Sequence, residues 1–459
     1  MTKPKFSFVI PTRERAYTLK YTLRTCIEQK YEDFEIVVCD NCSSPATKQV
    51  VDSLGSEKIK YVRSDIPLAM SDNWELALSH AVGEYVIVIG DDDGMLPNAL
   101  TSLDYFIAKT HAKAIRWAVA SYLWPDVEGG LAKNKIHIPI PNQAILIDSH
   151  QAIKSVIKGE KDYSYLPMLY YSAIHQDFIQ DLKNRTGRLF TGASPDIYTA
   201  FAVGYVAKTH YLIGKPLTIV GYSGKSNGVS YLMVKEKTSI NQEFRGLNES
   251  AGYFFHPQIP DIPAMSAIVA NEFLYTKQAL FPQEDQFVLD RKQLIINCIN
   301  DLENFNRVEN KEWSIFMDII ATSLSDDKEL QRWFEQTFIQ NYEPKGKPWV
   351  FSQEAWRDGL TTHSLFLDGD AFGVSDVYGA AQLCGKLISH TTSFIDVVEQ
   401  PGSSNISKLH QELMDKEQVI NAFRTLLGFW LVNGPFARFR LFQIAGRVIK
   451  LLKSFLFAR

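Results

Sequence analysis

Residues 71–100 read SDNWELALSHAVGEYVIVIGDDDGMLPNAL, and this stretch decides the fold class. Apolar residues from Trp74 to Ala81 recur with helical spacing, and Tyr85–Ile89 is an unbroken apolar run of strand length. Three consecutive aspartates, Asp91–Asp93, follow this run after Gly90. A helix followed by an apolar strand is typical of an α/β protein whose sheet is covered on both faces.

The residues before this stretch repeat the same alternation. Strands are predicted at Phe6–Ile10, Glu35–Cys39 and Ile59–Val62, with helices over Ala16–Ile27 and Ala46–Leu54. Apolar strands separated by helices predict a mostly parallel sheet flanked by helices. Ligands of such sheets bind beyond the carboxyl ends of the strands. Asp40 and the acidic run both directly follow predicted strands, so we expect them at such a site.

The chain after residue 105 is less regular. Strands are predicted at Ala114–Leu123, Met168–Ile174 and Leu217–Val220, and helices at Ala267–Leu280, Gln286–Phe305 and Glu312–Phe338. Residues 346–400 fit neither pattern. We therefore expect two halves of an α/β domain at 1–105 and 106–235, a mainly helical domain at 236–400, and a linker with a tail at 401–459.

Composition restricts the class of protein. The chain has 459 residues, which is enough for two or three domains, and 46% hydrophobic with 22% charged residues indicates a globular protein. A net charge of −4 gives no general attraction to nucleic acid. Five cysteines, an odd number, favour a reducing compartment such as the cytoplasm. No apolar run reaches about 18 residues, so we expect no transmembrane helix.

The C-terminal segment differs from the rest. It has no Asp or Glu after Glu417, and arginines and lysines alternate with apolar residues. Residues 419–459 therefore suit an amphipathic helix on an anionic membrane, such as the inner face of the plasma membrane. The alternative is a basic helix docked on the protein or on another subunit. A helical stripe from Ile406 to Phe423 permits a homo-oligomer.

The acidic run suggests a metal. Neighbouring carboxylates repel one another unless a cation or hydrogen-bond donors compensate them. Mg²⁺ or Mn²⁺, held between a carboxylate and diphosphate oxygens, would do so. The alternative is an acidic surface turn. The spacing of Cys39 and Cys42 fits half a zinc site, but the sequence offers no second pair of ligands.

Residues 6–105 resemble glycosyltransferase family 2, the inverting enzymes with the GT-A fold. Residues 6–44, FSFVIPTRERAYTLKYTLRTCIEQKYEDFEIVVCDNCSS, resemble the first strand, helix and second strand of that family. Residues 71–100 resemble its helix, its Gly-Glu-Tyr strand start and its acidic metal motif. The resemblance extends to about residue 235, which is about half the chain. It implies metal-dependent transfer of a sugar from a nucleoside diphosphate, first of all UDP, to an acceptor hydroxyl.

The resemblance assigns the donor-binding residues. Pro11, Thr12 and Arg13 match the loop that lines the base and ribose pocket. Asp40 matches the aspartate that accepts a hydrogen bond from the base. From the residues alone, the simpler interpretation of Asp40 is a helix cap or turn residue.

The acidic motif admits two registers. When Tyr85 is aligned, the first aspartate of the family falls on Gly90, Asp91 faces the ribose and Asp92 holds the metal. When the alignment is shifted by one, Asp91 and Asp93 form an Asp-x-Asp pair. We take Asp92 as the metal ligand and Asp93 as the second candidate.

An inverting transfer needs a base, which in this family is a carboxylate roughly a hundred residues after the acidic motif. Asp196 lies at that distance, although Ser-Pro-Asp also commonly starts a helix. Asp177 and Asp181 are the alternatives. The Gly221–Gly228 loop carries Lys225, which would add positive charge if the loop closes over the diphosphate. The alternative is that this loop is an ordinary flexible connection without a functional role.

Two further functions remain open. One is a non-catalytic partner that kept the fold, since Gly90 stands where the family has an aspartate. The other is a nucleotidyltransferase, which usually has a glycine-rich loop after the first strand. The segment Pro11–Arg15 contains no glycine and counts against it. By analogy with the family, the expected setting is bacterial surface polysaccharide or glycolipid synthesis, with a glycan or lipid-linked acceptor.

Overall fold

A computed structural model gives the structure of the protein and describes residues 3–140, 143–232, 239–340, 342–361 and 363–389. Described residues up to Cys384 belong to one compact unit. The linker at 401–404, the stripe at 406–423 and the basic tail at 419–459 lie outside the described residues, so those expectations stay predictions. The domain boundaries at 105, 235 and 400 also stay predictions.

The described residues contain a twelve-stranded mixed sheet. Its strands are β1 Phe6–Thr12, β2 Phe34–Asp40, β3 Ile59–Arg63, β4 Tyr85–Val88, β5 Gly94–Met95, β6 Ala114–Leu123, β7 Lys135–Pro139, β8 Ala144–Asp148, β9 Ser172–His175, β10 Thr209–Tyr222, β11 Gly359–Leu360 and β12 Ser364–Asp368. The main order is β11-β12-β7-β6-β9-β4-β1-β2-β3, and β10 joins β6, β8 and β5.

The helices lie between and after these strands. They are α1 Ala16–Ile27, α2 Pro45–Ser53, α3 Met70–Ser79, α4 Ala99–Thr110, α5 Ser149–Ile157, α6 Gln176–Thr186, α7 Pro195–Ala207, α8 Asn227–Leu232, α9 Ser239–Ser250, α10 Met265–Leu280, α11 Arg291–Asn304, α12 Asn310–Ser323, α13 Lys328–Phe334 and α14 Val377–Ser389. Within the described residues, none is both long and apolar enough to cross a membrane.

The expected fold class is confirmed: a sheet flanked by helices is followed by a mainly helical region. Strands β3, β2, β1 and β4 are parallel neighbours, as the apolar runs predict. The sheet as a whole is mixed, because β9 enters between β4 and β6 in the antiparallel direction. The parallel expectation therefore holds for the N-terminal part, and for β6 with β10.

Burial on both faces explains the apolar strands. Along β1, Phe8 and Ile10 belong to one buried cluster, while Val9 between them belongs to the cluster on the opposite face. Along β4, Ile87 and Val88 divide in the same way. Alternate side chains of a strand point to opposite faces, so both must be apolar when helices cover both.

The helical region departs from the predicted bounds at its caps. The run predicted from Gln286 starts at Arg291, because the Asp290 carboxylate caps the helix by accepting from the Gln293 amide. The run predicted over Glu312–Phe338 is broken. The Asp327 carboxylate accepts from the Glu329 and Leu330 amides and starts a new helix.

The segment that fitted no pattern returns to the sheet. Strand β12 pairs with β7, and β11 pairs with β12. The start of α14 lies on α1, where the Arg24 guanidinium sits 3.8 Å from the ring centroid of Tyr378. The Tyr378 hydroxyl donates to Glu28 at 2.7 Å. Residues after the helical region therefore complete the α/β part.

Candidate functional site

The carboxyl ends of β1, β2, β4 and β10 lie at the same edge of the sheet, since these strands run in the same direction. The loops that follow them surround a cavity of about 1430 Å³. This volume exceeds the roughly 300–1,000 Å³ of an ordinary small-molecule site. The expected site residues on its wall are Pro11, Thr12, Arg13, Asp91, Asp92, Asp196 and Lys225. Asp40 and Asp93 do not line it.

Asp91 is held by two side chains of the loop after β1. Thr12 Oγ1 donates to Asp91 Oδ2 at 2.6 Å, and Arg15 donates to Asp91 Oδ1 at 2.9 Å. Burial opposes the charge of Arg15, but Asp91 and Asp92 outweigh it and raise the pKa of the guanidinium. Sequence reasoning did not single out Arg15. Its position in the loop facing three aspartates was the available signal.

Of the two carboxylate oxygens of Asp92, Oδ1 is the less engaged. Ser223 Oγ donates to Asp92 Oδ2 at 2.6 Å, while Oδ1 has Arg15 at an ion-pair distance of 4.0 Å. Burial raises the pKa of Asp92 to about 7, an effect that Arg15 opposes and the neighbouring Asp93 and Asp91 reinforce. Burial and the neighbouring aspartates together therefore outweigh the effect of Arg15 on the pKa of Asp92.

Asp93 points away from the cavity into a closed set of donors. The hydroxyls of Tyr170 and Tyr171 donate to Oδ2 at 2.7 and 2.9 Å, and the Gly90 amide does so at 2.6 Å. The Gly221 amide donates to Oδ1 at 2.8 Å. With both oxygens used by four protein donors, Asp93 is placed to hold the acidic turn together. This geometry disfavours the second register, in which Asp93 is a metal ligand.

Gly90 is required by packing. A Cβ at this position would lie 2.5 Å from the Tyr170 hydroxyl and 2.7 Å from Asp93 Oδ2. These atoms form the hydrogen bond described above, so a side chain at residue 90 would push them apart. The missing aspartate is therefore explained by the local contacts of Tyr170 and Asp93.

Gly221 gives a testable stability prediction. A Cβ on Gly221 would fall 1.8 Å from the carbonyl oxygen of Asp92, which is backbone and has no rotamer to escape into. We expect Gly221→Ala to lower the free energy of unfolding by about 3 kcal/mol, at the upper end of over-packing costs. Urea denaturation followed by circular dichroism measures this change.

Gly228 provides the matched control in the same loop. A Cβ there meets nothing within 4 Å, and the residue lies in the first turn of α8. Gly228→Ala should leave stability unchanged or raise it by a few tenths of a kcal/mol. Equal stability of the two variants would contradict the described approach of Gly221 to Asp92.

Asp40 is buried behind the cavity wall. Its Oδ1 accepts from the Ser43 amide at 2.9 Å, and its Oδ2 accepts from the Tyr61 hydroxyl. Its neighbour Asn41 lines the cavity instead. The expectation that Asp40 contacts the base does not match this geometry, because the carboxylate is buried outside the cavity lining, with Oδ1 on the loop after β2 and Oδ2 on Tyr61 of β3. Sequence position alone does not separate Asp40 from Asn41.

Asp196 reaches the cavity from the first turn of α7. Burial raises the pKa of its carboxyl, while the backbone amides of Ile197 and Asp196 and the charge of Arg116 lower it in part. The alternatives, Asp177 and Asp181, lie on α6 outside the cavity lining and pair with Lys113 and Arg185. The structure thus brings one of the three candidate bases to the site.

Glu272 is a buried carboxyl that sequence reasoning missed. It lies on α10, and its Oε1 accepts from the Ser194 amide at 3.2 Å, two residues before Asp196. Burial raises the pKa of Glu272 to about 8. A single acid within the predicted helix Ala267–Leu280 was the available signal. Glu272 connects the helical region to the segment that carries Asp196.

The Gly221–Gly228 loop is tied to the loop after β1. Lys225 Nζ donates to the Glu14 carbonyl at 3.1 Å, and Arg15 donates to the Lys225 carbonyl. Arg13 also forms an ion pair with Glu243 of α9. Arg13, Arg15 and Lys225 therefore line the same cavity as Asp91 and Asp92.

The residues fit a divalent cation only together with a substrate. Within the part of the chain that the structure describes, no three His, Cys, Asp or Glu side chains converge as metal ligands. Asp91 and Asp92 nevertheless share one guanidinium, that of Arg15, between their two carboxylates. Mg²⁺ usually takes one or two carboxylates and completes its shell with phosphates and water. Asp92 Oδ1 is the oxygen suited to that role.

Residues 7–154 match the model of the family described as Glycosyl transferase family 2. A Campylobacter jejuni protein, GalNAc(5)-diNAcBac-PP-undecaprenol beta-1,3-glucosyltransferase, is 35% identical over 103 residues, which are 22% of this chain and 33% of that protein. An Escherichia coli protein, UDP-Glc:alpha-D-GlcNAc-diphosphoundecaprenol beta-1,3-glucosyltransferase WfgD, is 24% identical over 94 residues, 20% of this chain and 37% of that one.

Among solved structures, S. aureus TarS 1-349 aligns over 73% of this chain and 91% of its own, with 17% identity and a TM-score of 0.39. The stretches matched by sequence span 33% and 37% of the length of the two curated relatives. Sequence similarity to them is thus confined to part of the chain.

Proposed function

Because residues 7–154 form a glycosyltransferase family 2 domain, we propose that the chain is a metal-dependent inverting glycosyltransferase. It moves a sugar from a nucleoside diphosphate, most simply UDP, to an acceptor hydroxyl. The observation that carries the proposal is the meeting of Asp91, Asp92 and Asp196 on one cavity large enough for donor and acceptor together.

The loop after β1 serves the donor in this proposal. Pro11, Thr12 and Arg13 line the base and ribose pocket, and Asp91 faces the ribose while Thr12 and Arg15 fix its orientation. Mg²⁺ or Mn²⁺ held by Asp92 would neutralise the diphosphate as the sugar–phosphate bond breaks. Lys225 adds positive charge from the facing loop.

Asp196 acts as the base. It accepts the proton of the acceptor hydroxyl while that oxygen attacks the anomeric carbon from the side opposite the diphosphate, which inverts the configuration. Its raised pKa suits this task, since a stronger base accepts the proton more readily. Glu272 and the amide of Ser194 keep the segment before Asp196 in place.

The acceptor is proposed to be a glycan, free or lipid-linked, in bacterial surface polysaccharide or glycolipid synthesis. The names of the two curated relatives describe transfer to glycans on an undecaprenol carrier. Work at the inner face of the plasma membrane would follow from such an acceptor. Membrane contact through residues 419–459 and a homo-oligomer remain predictions outside the described residues.

The competing function is a non-catalytic partner with the same fold. Its support in the sequence was Gly90, which stands where the family has an aspartate. A side chain at residue 90 would meet Tyr170 and Asp93, so packing accounts for the glycine and the loss of catalysis is not needed to explain it. The buried Asp93 network also keeps Asp92 at the cavity, which supports a working donor site.

Turnover with a donor panel tests the proposal. The protein is incubated with UDP-glucose, UDP-galactose, UDP-N-acetylglucosamine or GDP-mannose, Mn²⁺ and an undecaprenyl diphosphate-linked sugar, and release of nucleoside diphosphate is measured. We expect release from one donor that needs both Mn²⁺ and acceptor. A donor that binds and is never turned over would favour the non-catalytic partner.

A further inference from the structure

The cavity continues beyond the donor loops and Asp196 to a wall built by the helical region. Residues of α9, α10 and α11 line it, as does Trp349. The match to the family model ends at residue 154, so the residues of this wall lie outside the matched stretch. Its side chains are therefore the place to look for what is particular to this chain.

Helix α11 presents a stripe of amides to the cavity. Its opposite face is buried in the core of the helical region through Ile295, Cys298, Ile299 and Leu302. Asn297, Asn300, Asp301 and Asn304 line the cavity. Positions separated by three, four and seven residues lie on one side of a helix, so the three asparagines form a continuous row.

The row divides into a fixed part and an open part. Asn297 Oδ1 accepts from Gln293, and Asp301 Oδ2 accepts from the Ser266 amide at 2.7 Å. Asn300 and Asn304 are exposed. A carboxamide offers two donors and an acceptor in one group, which matches hydroxyls that donate and accept at once.

Aromatic rings continue the wall toward the acidic turn. The Phe305 and Trp349 ring centroids are 5.8 Å apart, and Trp349 lies 6.0 Å from Tyr222. Tyr222 precedes Ser223, which donates to Asp92. Ring faces pack against the C–H groups of pyranose rings, so this series is suited to sugars at increasing distance from the reacting centre.

We propose that this amide–aromatic wall, consisting of Asn297, Asn300, Asn304, Phe305 and Trp349, binds the non-reacting sugars of an uncharged oligosaccharide acceptor. The inference deepens the proposed function and rests on it. The charged member of the α11 row is the acid Asp301, so uronic acids or phosphate-bearing sugars would be repelled there. Amides beside aromatic rings favour hydroxyl-rich, neutral rings.

The test uses an array of immobilised oligosaccharides, some neutral and some bearing uronic acid or phosphate. The full chain is labelled and applied with UDP and Mn²⁺. We expect the wild type to bind neutral oligosaccharides and the variant Asn300→Ala/Asn304→Ala to bind them about tenfold or more weakly, as the loss of two hydrogen bonds implies. Both asparagines are exposed on a helix, so alanine should not impair folding.

Asn184→Ala is the matched control, since Asn184 is an exposed helical asparagine of α6 outside the cavity lining. It should bind the array as the wild type does. UDP binding with Mn²⁺ is measured calorimetrically on all three proteins and should be equal. If the wild type did not bind UDP, the proposed function itself would be contradicted.

Three results would overturn the inference while UDP binding is intact. One is unchanged neutral-glycan binding by the double variant. The second is preference for uronic acid or phosphate-bearing oligosaccharides, and the third is binding to no oligosaccharide of the array.

Discussion

Asp196→Asn should lower kcat by about 10³-fold, within the range for loss of a general base. The amide is nearly isosteric with the carboxylate but does not accept the proton of the acceptor hydroxyl. Donor binding should be unchanged, because Asp196 lies on α7 and apart from the loops that hold Asp91 and Asp92. Steady-state turnover with saturating donor and acceptor measures the effect.

Asp177→Asn and Asp181→Asn are the matched controls, since both were candidate bases and lie on α6 outside the cavity lining. Their kcat should stay within about twofold of the wild type, because surface substitutions seldom matter. If Asp177→Asn lost activity and Asp196→Asn kept it, the assignment of the base would be wrong.

The pH profile adds a second readout for the same residue. A base works deprotonated, and burial raises the pKa of Asp196. Activity should therefore fall on acidification at a higher pH than an exposed aspartate, with its pKa near 3.9, would give. In Asp196→Asn with saturating Mn²⁺ the residual activity should lose this limb of the profile, because a bound cation keeps the Asp92 carboxylate ionised.

Asp92→Asn should lower kcat/KM by roughly 10²–10³-fold, comparable to removing one preorganised charge-stabilising group. A neutral amide is a weaker ligand for a hard cation than a carboxylate. Added Mn²⁺ should also no longer stimulate turnover. The Ser223 hydroxyl, which donates to Asp92 Oδ2 at 2.6 Å, retains an oxygen acceptor in the amide, so the fold should survive.

Asp52→Asn is the control for this change. Asp52 is exposed on α2 and forms an ion pair with Lys48. Its activity and metal response should equal those of the wild type, because exposed pairs contribute little. Full Mn²⁺ stimulation of Asp92→Asn would move the metal role to another residue.

The N-terminal elements were predictable because both faces of their strands are buried. Apolar runs such as Tyr85–Ile89 predict buried strands, and β4 occupies Tyr85–Val88. Strand β6 occupies the predicted Ala114–Leu123. Asp91, Asp92 and Asp196 line one cavity, and their roles stay proposals. The expectation that these residues lie together rested on the strand directions and on the family resemblance.

The rest depends on contacts between residues far apart in the chain. The short strand β12 pairs with β7 more than two hundred residues earlier, and no local pattern encodes such a partner. Asp93 and Asp92 are chemically identical, and distant partners such as Tyr170 and Tyr171 for Asp93 and Ser223 for Asp92 distinguish their environments. Glu272 likewise acquires its role from the Ser194 amide on another element.

The proposed donor site combines Asp92, a divalent cation and a nucleoside diphosphate. Calorimetric titration of the wild type with UDP-sugars, once with Mn²⁺ and once with EDTA, tests it most directly. We predict that one donor binds with Mn²⁺ and about tenfold or more weakly with EDTA, because the diphosphate then faces the carboxylates of Asp91 and Asp92, whose ion pairs with Arg15 offset their two negative charges only in part. Equal affinity in both buffers, or no binding of any donor in either, would contradict the claim.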